Sequence, residues 1–342
     1  MFEIGVSSAA IAVIIVNFMR VADTVECLNS LLRISNPTFD VFLADNGSSN
    51  AEAAQLRSYS DRFPECIRFT AFTENYGFTG AHNRLLEQII NSNHYKFILL
   101  LNNDTVVDPE FLIKMLNKID SEQHIEMVAA RMMNYDDRRL VDNLGITFYK
   151  SGLASNRKSL DEPLLGPCGG CALYTTELLR QIYTVTGEYF DNDFFCYAED
   201  TDLAWRAVLL GYSAAYADQA LVYHKGSVAS GGPNSDFVLY HGIRNSLFVL
   251  IKNMPFRLLL LNSGWMILLH LAILTRYLLK GKLLIVLKLY RDFICKISTM
   301  TQKRRRLQKQ IKIDSKIIKQ FISASFYERG YMMAALGELV KF

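Results

Sequence analysis

Phe97-Ile98-Leu99-Leu100-Leu101-Asn102-Asn103-Asp104 decides how this chain folds. Five apolar residues in a row, without polar alternation, suit a strand buried on both faces. The run stops at three polar residues, so it delivers the carboxylate of Asp104 to its own carboxyl end. The same arrangement recurs upstream. Ile11-Ala12-Val13-Ile14-Ile15-Val16 is a continuous apolar run ending at Asn17, and 39–44 is a second strand ending in Asp45-Asn46-Gly47-Ser48-Ser49. A weaker strand covers 66–72. Between these, Val21, Val25, Leu28 and Leu32 carry helical spacing over 21–34, and 79–90 is helical too. Downstream, Pro109 opens a helix at a typical first-turn position, and 127–131 is a fifth strand. This alternation predicts the α/β class: a mostly parallel central sheet with helices on both faces. In such sheets ligands sit outside the carboxyl ends of the strands. Asn17, Asp45 and 102–104 all fall there.

The remainder is less regular. Residues 136–167 are polar and suggest a loop-rich connection. A Gly-containing strand is expected at 168–174, a short helix at 176–183, and a helix at 199–210 that Gly211 stops. Short strands are expected at 214–217 and 220–223. From 258 to 279 the sequence is almost wholly apolar, and a second apolar stretch follows at 283–289. Residues 280–319 are crowded with Lys and Arg, with Asp292 and Asp314 the only acids. An α/β unit over 1–252 is thus followed, over 253–342, by a helical region suited to an anionic membrane surface. That region either lies in the interface or spans it.

Half of the 342 residues are hydrophobic, ample for one large core plus an appendage. Acidic and basic residues nearly balance, at +3, so whole-chain charge names no partner and no nucleic acid is expected. The six cysteines form no disulfide framework. The apolar stretch 9–16 is too short for a secretory signal and lacks a basic leader. A reduced, cytoplasmic setting is expected. Cys168 and Cys171 form a lone C-x-x-C without a second ligand pair for zinc, and read as part of a Gly-rich turn.

Four positions carry chemistry. A hard divalent cation wants oxygen ligands, and Asp104 offers one, although the same residue could cap the next helix. Asp45 could accept hydrogen bonds from a base or ribose, or close an Asx turn with its Gly-Ser neighbours. Glu199-Asp200-Thr201-Asp202 places three carboxylates in four residues at a helix start, more than a cap needs, and a carboxylate there could serve as general base. His224 ends an apolar strand and could ligate a metal, with a preference for manganese over magnesium.

Six pieces, in order, resemble a family-2 glycosyltransferase with the GT-A fold: Ile14-Ile15-Val16-Asn17-Phe18, Ala44-Asp45-Asn46-Gly47-Ser48, Glu74-Asn75-Tyr76-Gly77-Phe78, Leu101-Asn102-Asn103-Asp104, Tyr197-Ala198-Glu199-Asp200-Thr201-Asp202, and Tyr223-His224-Lys225-Gly226. In texture they are similar to a rhamnosyltransferase-like branch that builds bacterial surface polysaccharides. The resemblance implies an inverting transfer from a nucleotide-diphosphate sugar (dTDP-rhamnose or UDP-hexose type) to a hydroxyl of a glycan or lipid-linked acceptor. It implies a divalent metal, manganese or magnesium, on Asp104 and His224, with Asn102 standing where the family's first Asp does. Asp200 matches the catalytic base and Glu199 is its neighbour. Asp45 matches the residue on the nucleotide base. Asn75, Gly77 and Phe78 match the segment lining the donor site, where Asn17, Asn83, Asn102 and Asn103 are also expected. Arg244, in a recurring Arg-Asn pair, is expected on phosphate or acceptor.

A nicotinamide-dependent oxidoreductase or a sugar-phosphate nucleotidyltransferase would need a Gly-rich turn early in the chain, and Asn17-Phe18-Met19-Arg20 is not one. A catalytically degenerate domain serving as a membrane-bound assembly partner is the alternative. Its support is the missing first Asp of the metal motif.

Overall fold

The computed structural model describes residues 11–119, 124–226, 232 and 235–328. Residues 1–10 and 329–342, at the outer ends of the two expected regions, lie outside the described residues. The first half alternates as anticipated: β1 (Ile11–Asn17), α1 (Val21–Leu31), β2 (Phe39–Asn46), α2 (Asn50–Ser60), β3 (Ile67–Phe72), α3 (Gly77–Asn91) and β4 (Phe97–Leu101). Helix α2 was not read from its weak periodicity, yet a local signal was there. The Ser49 side chain accepts from the Glu52 N–H and Glu52 answers to the Ser49 N–H, a reciprocal cap that starts the helix.

The second half holds β5 (Thr105–Val107), α4 (Phe111–Ile119), β6 (Ile125–Asn134), β7 (Val141–Asn143), β8 (Ile146–Tyr149), β9 (Ala154–Asn156), β10 (Cys171–Thr175), α5 (Thr176–Thr186), α6 (Glu199–Leu209) and β11 (Ser213–His224). The C-terminal region adds α7 (Asp236–Asn253), α8 (Phe256–Leu279), α9 (Leu283–Gln308), α10 (Ser315–Lys319) and β12 (Ile322–Ser323).

The main sheet runs β3-β2-β1-β4-β10-β6-β11-β5, with β7 paired to β6. Strands β3, β2, β1 and β4 are parallel, β10 reverses between β4 and β6, and β11 returns parallel to β6. Strand alternation sorts the core into two layers. Ile11, Val13 and Ile15 face α1, α2 and α4, while Ala12 and Ile14 face α3, α5 and α6. The helices therefore cover both faces.

One expectation needs correction and two gain detail. Residues 136–167 are mostly turns and loops, as expected, but they also carry three short strands: β7 extends the main sheet, and β8 and β9 form a small sheet with β12. Its Phe148 packs edge-on against fully buried Trp205, with ring centroids 5.1 Å apart. The strands are three or four residues long and rich in polar positions, too short for a period-2 signal. The two short strands at 214–217 and 220–223 are one strand, β11, whose register on β6 shifts between Ala217 and Leu221. Finally, much of the chain beyond 253 is woven into the α/β unit. Helix α9 buries Met300 and Leu307 against Phe248 of α7, and Ile322 of β12 pairs with Phe148 of β8. Helix α8 differs: it is long and apolar enough to cross a membrane, by length and composition, and most of it stays uncovered. Leu261 on α8 is 72% exposed, and Leu284 at the start of α9 is 83% exposed.

Candidate active site

Asp104 and His224 meet because of strand register. β5 pairs antiparallel with β11 and sets Thr105 opposite His224, so the residue before Thr105 faces the imidazole. Asp104 Oδ1 lies 3.3 Å from His224 Nε2. That oxygen is buried, and the imidazole is its one close polar contact among the described residues. On its other side, His224 Nδ1 is 2.7 Å from Asp142 Oδ2, delivered by β7. Burial alone would lower the imidazole pKa. Asp104 and Asp142 outweigh it and push it up to about 9. Asp142 was missed in the sequence because it sits in the stretch that looked irregular. A carboxylate on the far nitrogen of a histidine fixes the tautomer and ring orientation of metal-binding imidazoles. The buried Asp104 oxygen, the oriented imidazole beside it and their O/N chemistry fit a divalent cation that takes its other ligands from a bound phosphate and water. Among the described residues no group of three His, Cys, Asp or Glu is assembled to hold one unaided.

Glu199 and Asp200 open α6 behind an unusual turn. Tyr197 and Ala198 both have left-handed backbone, φ 70° and 63°. Two consecutive non-glycine residues in that region cost energy and persist only where surroundings hold them. Here Asn245 of α7, fully buried, donates from Nδ2 to the Cys196 and Tyr197 carbonyls at 2.8 and 2.9 Å. Asp200 Oδ2 accepts from the Gly169 N–H at 2.9 Å, and Oδ1 from the Thr201 N–H at 2.6 Å. Burial raises the Asp200 pKa despite these donors, which strengthens it as a base. The Gly169-Gly170 turn, read in the sequence as a Gly-rich turn within a C-x-x-C, is the platform between the two clusters. Gly169 holds Asp200, while the Gly170 carbonyl accepts from the Asn102 N–H at 2.9 Å. A Cβ at Gly169 would lie 3.0 Å from the Phe78 ring.

Glu199 is buried, and its Oε2 has no partner among the described residues. Burial first, then Asp200 and Asp202, push its carboxyl from 4.5 up to about 8. Between those values the folded chain holds a proton that the unfolded chain has released, so this group lowers stability as pH rises. Glu199→Gln stays neutral throughout. Its stability relative to the parent is expected to rise between about pH 5 and about pH 8 in denaturant titrations. Parallel pH profiles would refute the assignment.

A cleft of ≈870 Å³ opens at the carboxyl ends of the strands. Of the expected residues it is lined by Asn75, Gly77, Phe78, Asn102, Asn103, Asp104, Glu199, Asp200 and His224. The 75–77 corner is built by Asn46, which donates to Asn75 Oδ1 at 3.0 Å and the Gly77 carbonyl at 3.1 Å and accepts from the Tyr76 N–H. Gly77 is required there, since its φ is +68° and a Cβ would come 2.3 Å from the Phe195 carbonyl oxygen. Four expected residues do not line the cleft. Asn17 and Asp45 lie buried beneath it, joined at 2.7 Å, and Asp45 also accepts from the Ser48 N–H, three residues on, at 3.0 Å, which closes the turn after β2. Asn83 exchanges two 2.8 Å hydrogen bonds with the backbone of Phe190. Arg244 donates to Asn245 Oδ1 and to the Tyr240 hydroxyl, which orients the amide that holds the 196–197 turn. Of the Arg-Asn pair, Asn245 reaches the site and Arg244 steadies it.

Comparison with known proteins agrees with this architecture. A sequence model of glycosyl transferase family 2 matches residues 12–183. That span holds Asp45, 75–78 and 102–104, while Glu199, Asp200 and His224 lie beyond it. The bifunctional glycosyltransferase pgtA of Dictyostelium discoideum is 21% identical over 206 residues, covering 54% of this chain. It covers 26% of that protein, so the chain spans about a quarter of the relative's length. Among solved structures, the mannosyltransferase PcManGT from Pyrobaculum calidifontis, in complex with GDP-Man and Mn2+, superposes with a TM-score of 0.54 at 14% identity. The match covers 91% of this chain and 86% of that one. S. aureus TarS 1-349 in complex with UDP-GlcNAc gives 0.55 at 16% identity, covering 88% and 90%. At these identities the likeness is one of fold.

Proposed function

The chain belongs to glycosyl transferase family 2, and from that premise we propose that it is an inverting glycosyltransferase. It moves a sugar from a nucleotide-diphosphate donor, of dTDP-rhamnose or UDP-hexose type, to a hydroxyl of a glycan or lipid-linked saccharide. The rhamnosyltransferase-like wording of its motifs favours bacterial surface polysaccharide as the product. The observation that carries the reading is that Asp200 and the Asp104–His224 pair line one cleft. Asn75, Gly77, Phe78, Asn102 and Asn103 line the donor end, and the buried Asn17–Asp45 pair supports that wall from below. Asp104 and His224 would hold manganese or magnesium, with Asp142 fixing the imidazole. When bound, that ion supplies positive charge to the departing diphosphate. Asp200 accepts the proton of the acceptor hydroxyl, which attacks the anomeric carbon opposite the leaving group. Glu199, kept neutral by burial, leaves Asp200 as the carboxylate free to take that proton.

The test is a panel of nucleotide sugars offered to the full-length protein with manganese, reading nucleotide release. Turnover with at least one sugar, abolished by a chelator, is the expected result. Silence across the panel would favour the degenerate, assembly-partner reading.

The uncovered α8, with the basic segment 280–319 behind it, supports attachment to the cytoplasmic face of the plasma membrane. The chain is expected to float with vesicles containing anionic lipid and to be partly released by high salt. Fractionation as a soluble protein at low salt without detergent would sink this.

A further inference from the structure

Four cations of the basic segment converge away from the catalytic cleft. Another cavity, of ≈480 Å³, opens between α5, the end of α6 and the end of α9. Arg305 and Arg306, in the last turn of α9, line it together with Lys309 and Lys312 just beyond. Among the described residues that line it there is no aspartate or glutamate. The two preceding cations are spent inside the fold. Lys303 pairs with Asp191, Glu188 and Asp193, and Arg304 donates to the carbonyls of Ile251 and Met254. The side chains of Arg305, Arg306, Lys309 and Lys312 have no hydrogen bond or ion pair among the described residues. The negative end of the α9 dipole accounts for cations in its last turn, but that effect falls off beyond the turn and leaves Lys309 and Lys312 without a reason. Like charges brought together repel until an anion joins them.

The chain that carries these cations is pinned. The Lys312 N–H donates to the Leu209 carbonyl at 3.0 Å, and the Gln310 N–H to the Leu307 carbonyl at 2.9 Å. Ile311 and Ile313 pack on the cluster that holds Trp205 and Leu209, and Lys312 between them is exposed. Buried Leu210 and half-buried Val185 supply the apolar part of the lining. Gln181 adds an amide whose Nε2 donates once, to Glu177 at 3.1 Å, and keeps a second N–H. The cavity is also remote from the transfer chemistry. Asp200 opens α6 and Leu210 follows its far end, about 15 Å away along the helix axis.

We propose that this cavity binds a ligand bearing two or more phosphoryl groups, at a site separate from the catalytic cleft. Guanidinium forks match phosphate oxygens in two-point geometry, and the lysines add point charges. The volume falls within the range of small-molecule sites. A single phosphate would leave part of the four positive charges unmatched, whereas linked phosphoryl groups reach across them. The inference does not depend on the transferase reading.

Tripolyphosphate is the probe, titrated calorimetrically into the full-length protein in detergent. A chelator is present, so that no divalent ion recruits the probe to the catalytic cleft. The parent is compared with Arg306→Gln/Lys309→Gln and with Lys316→Gln/Lys319→Gln. The second pair removes the same charge from exposed lysines of α10 that do not line the cavity. The parent and the α10 pair are expected to bind alike, and the cavity pair about tenfold more weakly. Tripolyphosphate should also raise the Tm of the parent, because it binds the folded chain, and the cavity pair should lose that rise. Absence of binding by the parent overturns the proposal. So does equal weakening in the two pairs, which would make the four cations a solvated basic face. Flotation with phosphatidylcholine vesicles containing cardiolipin, whose headgroup bears two phosphoryl groups, separates the sources of the ligand. If only the cavity pair loses tripolyphosphate and both pairs float alike, the site is upheld for a soluble polyphosphorylated ligand. If the cavity pair loses tripolyphosphate and also floats less than the α10 pair, the site is upheld for a lipid headgroup.

Discussion

Asp200→Asn is expected to slow sugar transfer by about 10²–10⁴-fold, the usual contribution of a general base. The amide keeps the shape of the carboxylate but cannot take the acceptor's proton. It can still accept from the Gly169 or Thr201 N–H, so the turn should hold. Nucleotide binding, which we propose for the opposite wall of the cleft, should stay close to that of the parent. The measurement is kcat against donor affinity, with manganese present in both. Loss confined to kcat supports the base. Normal turnover would falsify the assignment, and equal losses in binding and turnover would point to a disturbed cleft instead.

The largest expected effect on stability comes from Asp191. It is fully buried, accepts from Lys252 Nζ at 2.5 Å and pairs with Lys303 of α9. Lys252 also meets Asp202 at 2.7 Å, and Asp202 meets Arg206 at 2.9 Å. Lys303 further contacts Glu188 at 2.9 Å and Asp193 at 3.0 Å. Burial would raise the Asp191 pKa, but the two lysines hold it well below the usual range. Asp191→Asn takes one buried counter-charge from each of two ammonium groups; Lys252 keeps Asp202 and Lys303 keeps Glu188 and Asp193, so the expected cost is at most the roughly 3–5 kcal/mol seen when a buried pair loses one member. Lys252→Met should cost less, because Asp191 keeps Lys303 and Asp202 keeps Arg206. Denaturant titration of both variants checks the order. A depressed carboxylate stabilises the fold above its unfolded pKa and stops doing so as pH falls below it. The deficit of Asp191→Asn relative to the parent should therefore be full at neutral pH and shrink in acid. The cluster ties α7 and α9 to the segment that leads into Asp200, so the C-terminal helices support the site as well as any membrane contact.

Much of the fold was legible. Long apolar runs and helical spacing located β1, β2, β4, α1 and α3, because buried strands and amphipathic helices write their period into adjacent residues. The short strands β5, β7, β8 and β9 left no such trace. Of the candidate site, the strand-end residues Asn102, Asn103 and Asp104 and the acidic helix start at Glu199-Asp200 line the cleft. Asn83 and Arg244 were placed in it by motif position, yet their polar groups are taken up by backbone and by Asn245. Asn46, Asn245 and Asp142 shape the site without being singled out, since an asparagine that braces a turn looks in sequence like any other.

The opening run, Phe97 to Asp104, illustrates the division. Taken alone it determined that a buried strand ends in a carboxylate at a sheet edge suited to ligands. That follows from local composition: five apolar residues need a dry environment and three polar ones need a wet one. What Asp104 would face was decided only by tertiary structure. β11 arrives from far along the chain, and its register on β5 brings His224 to the carboxylate. The pairing of β7 with β6 then brings Asp142 to the imidazole. Strand pairing between distant segments is set by the packing of the whole sheet, and no period in either segment encodes which residue will stand opposite which.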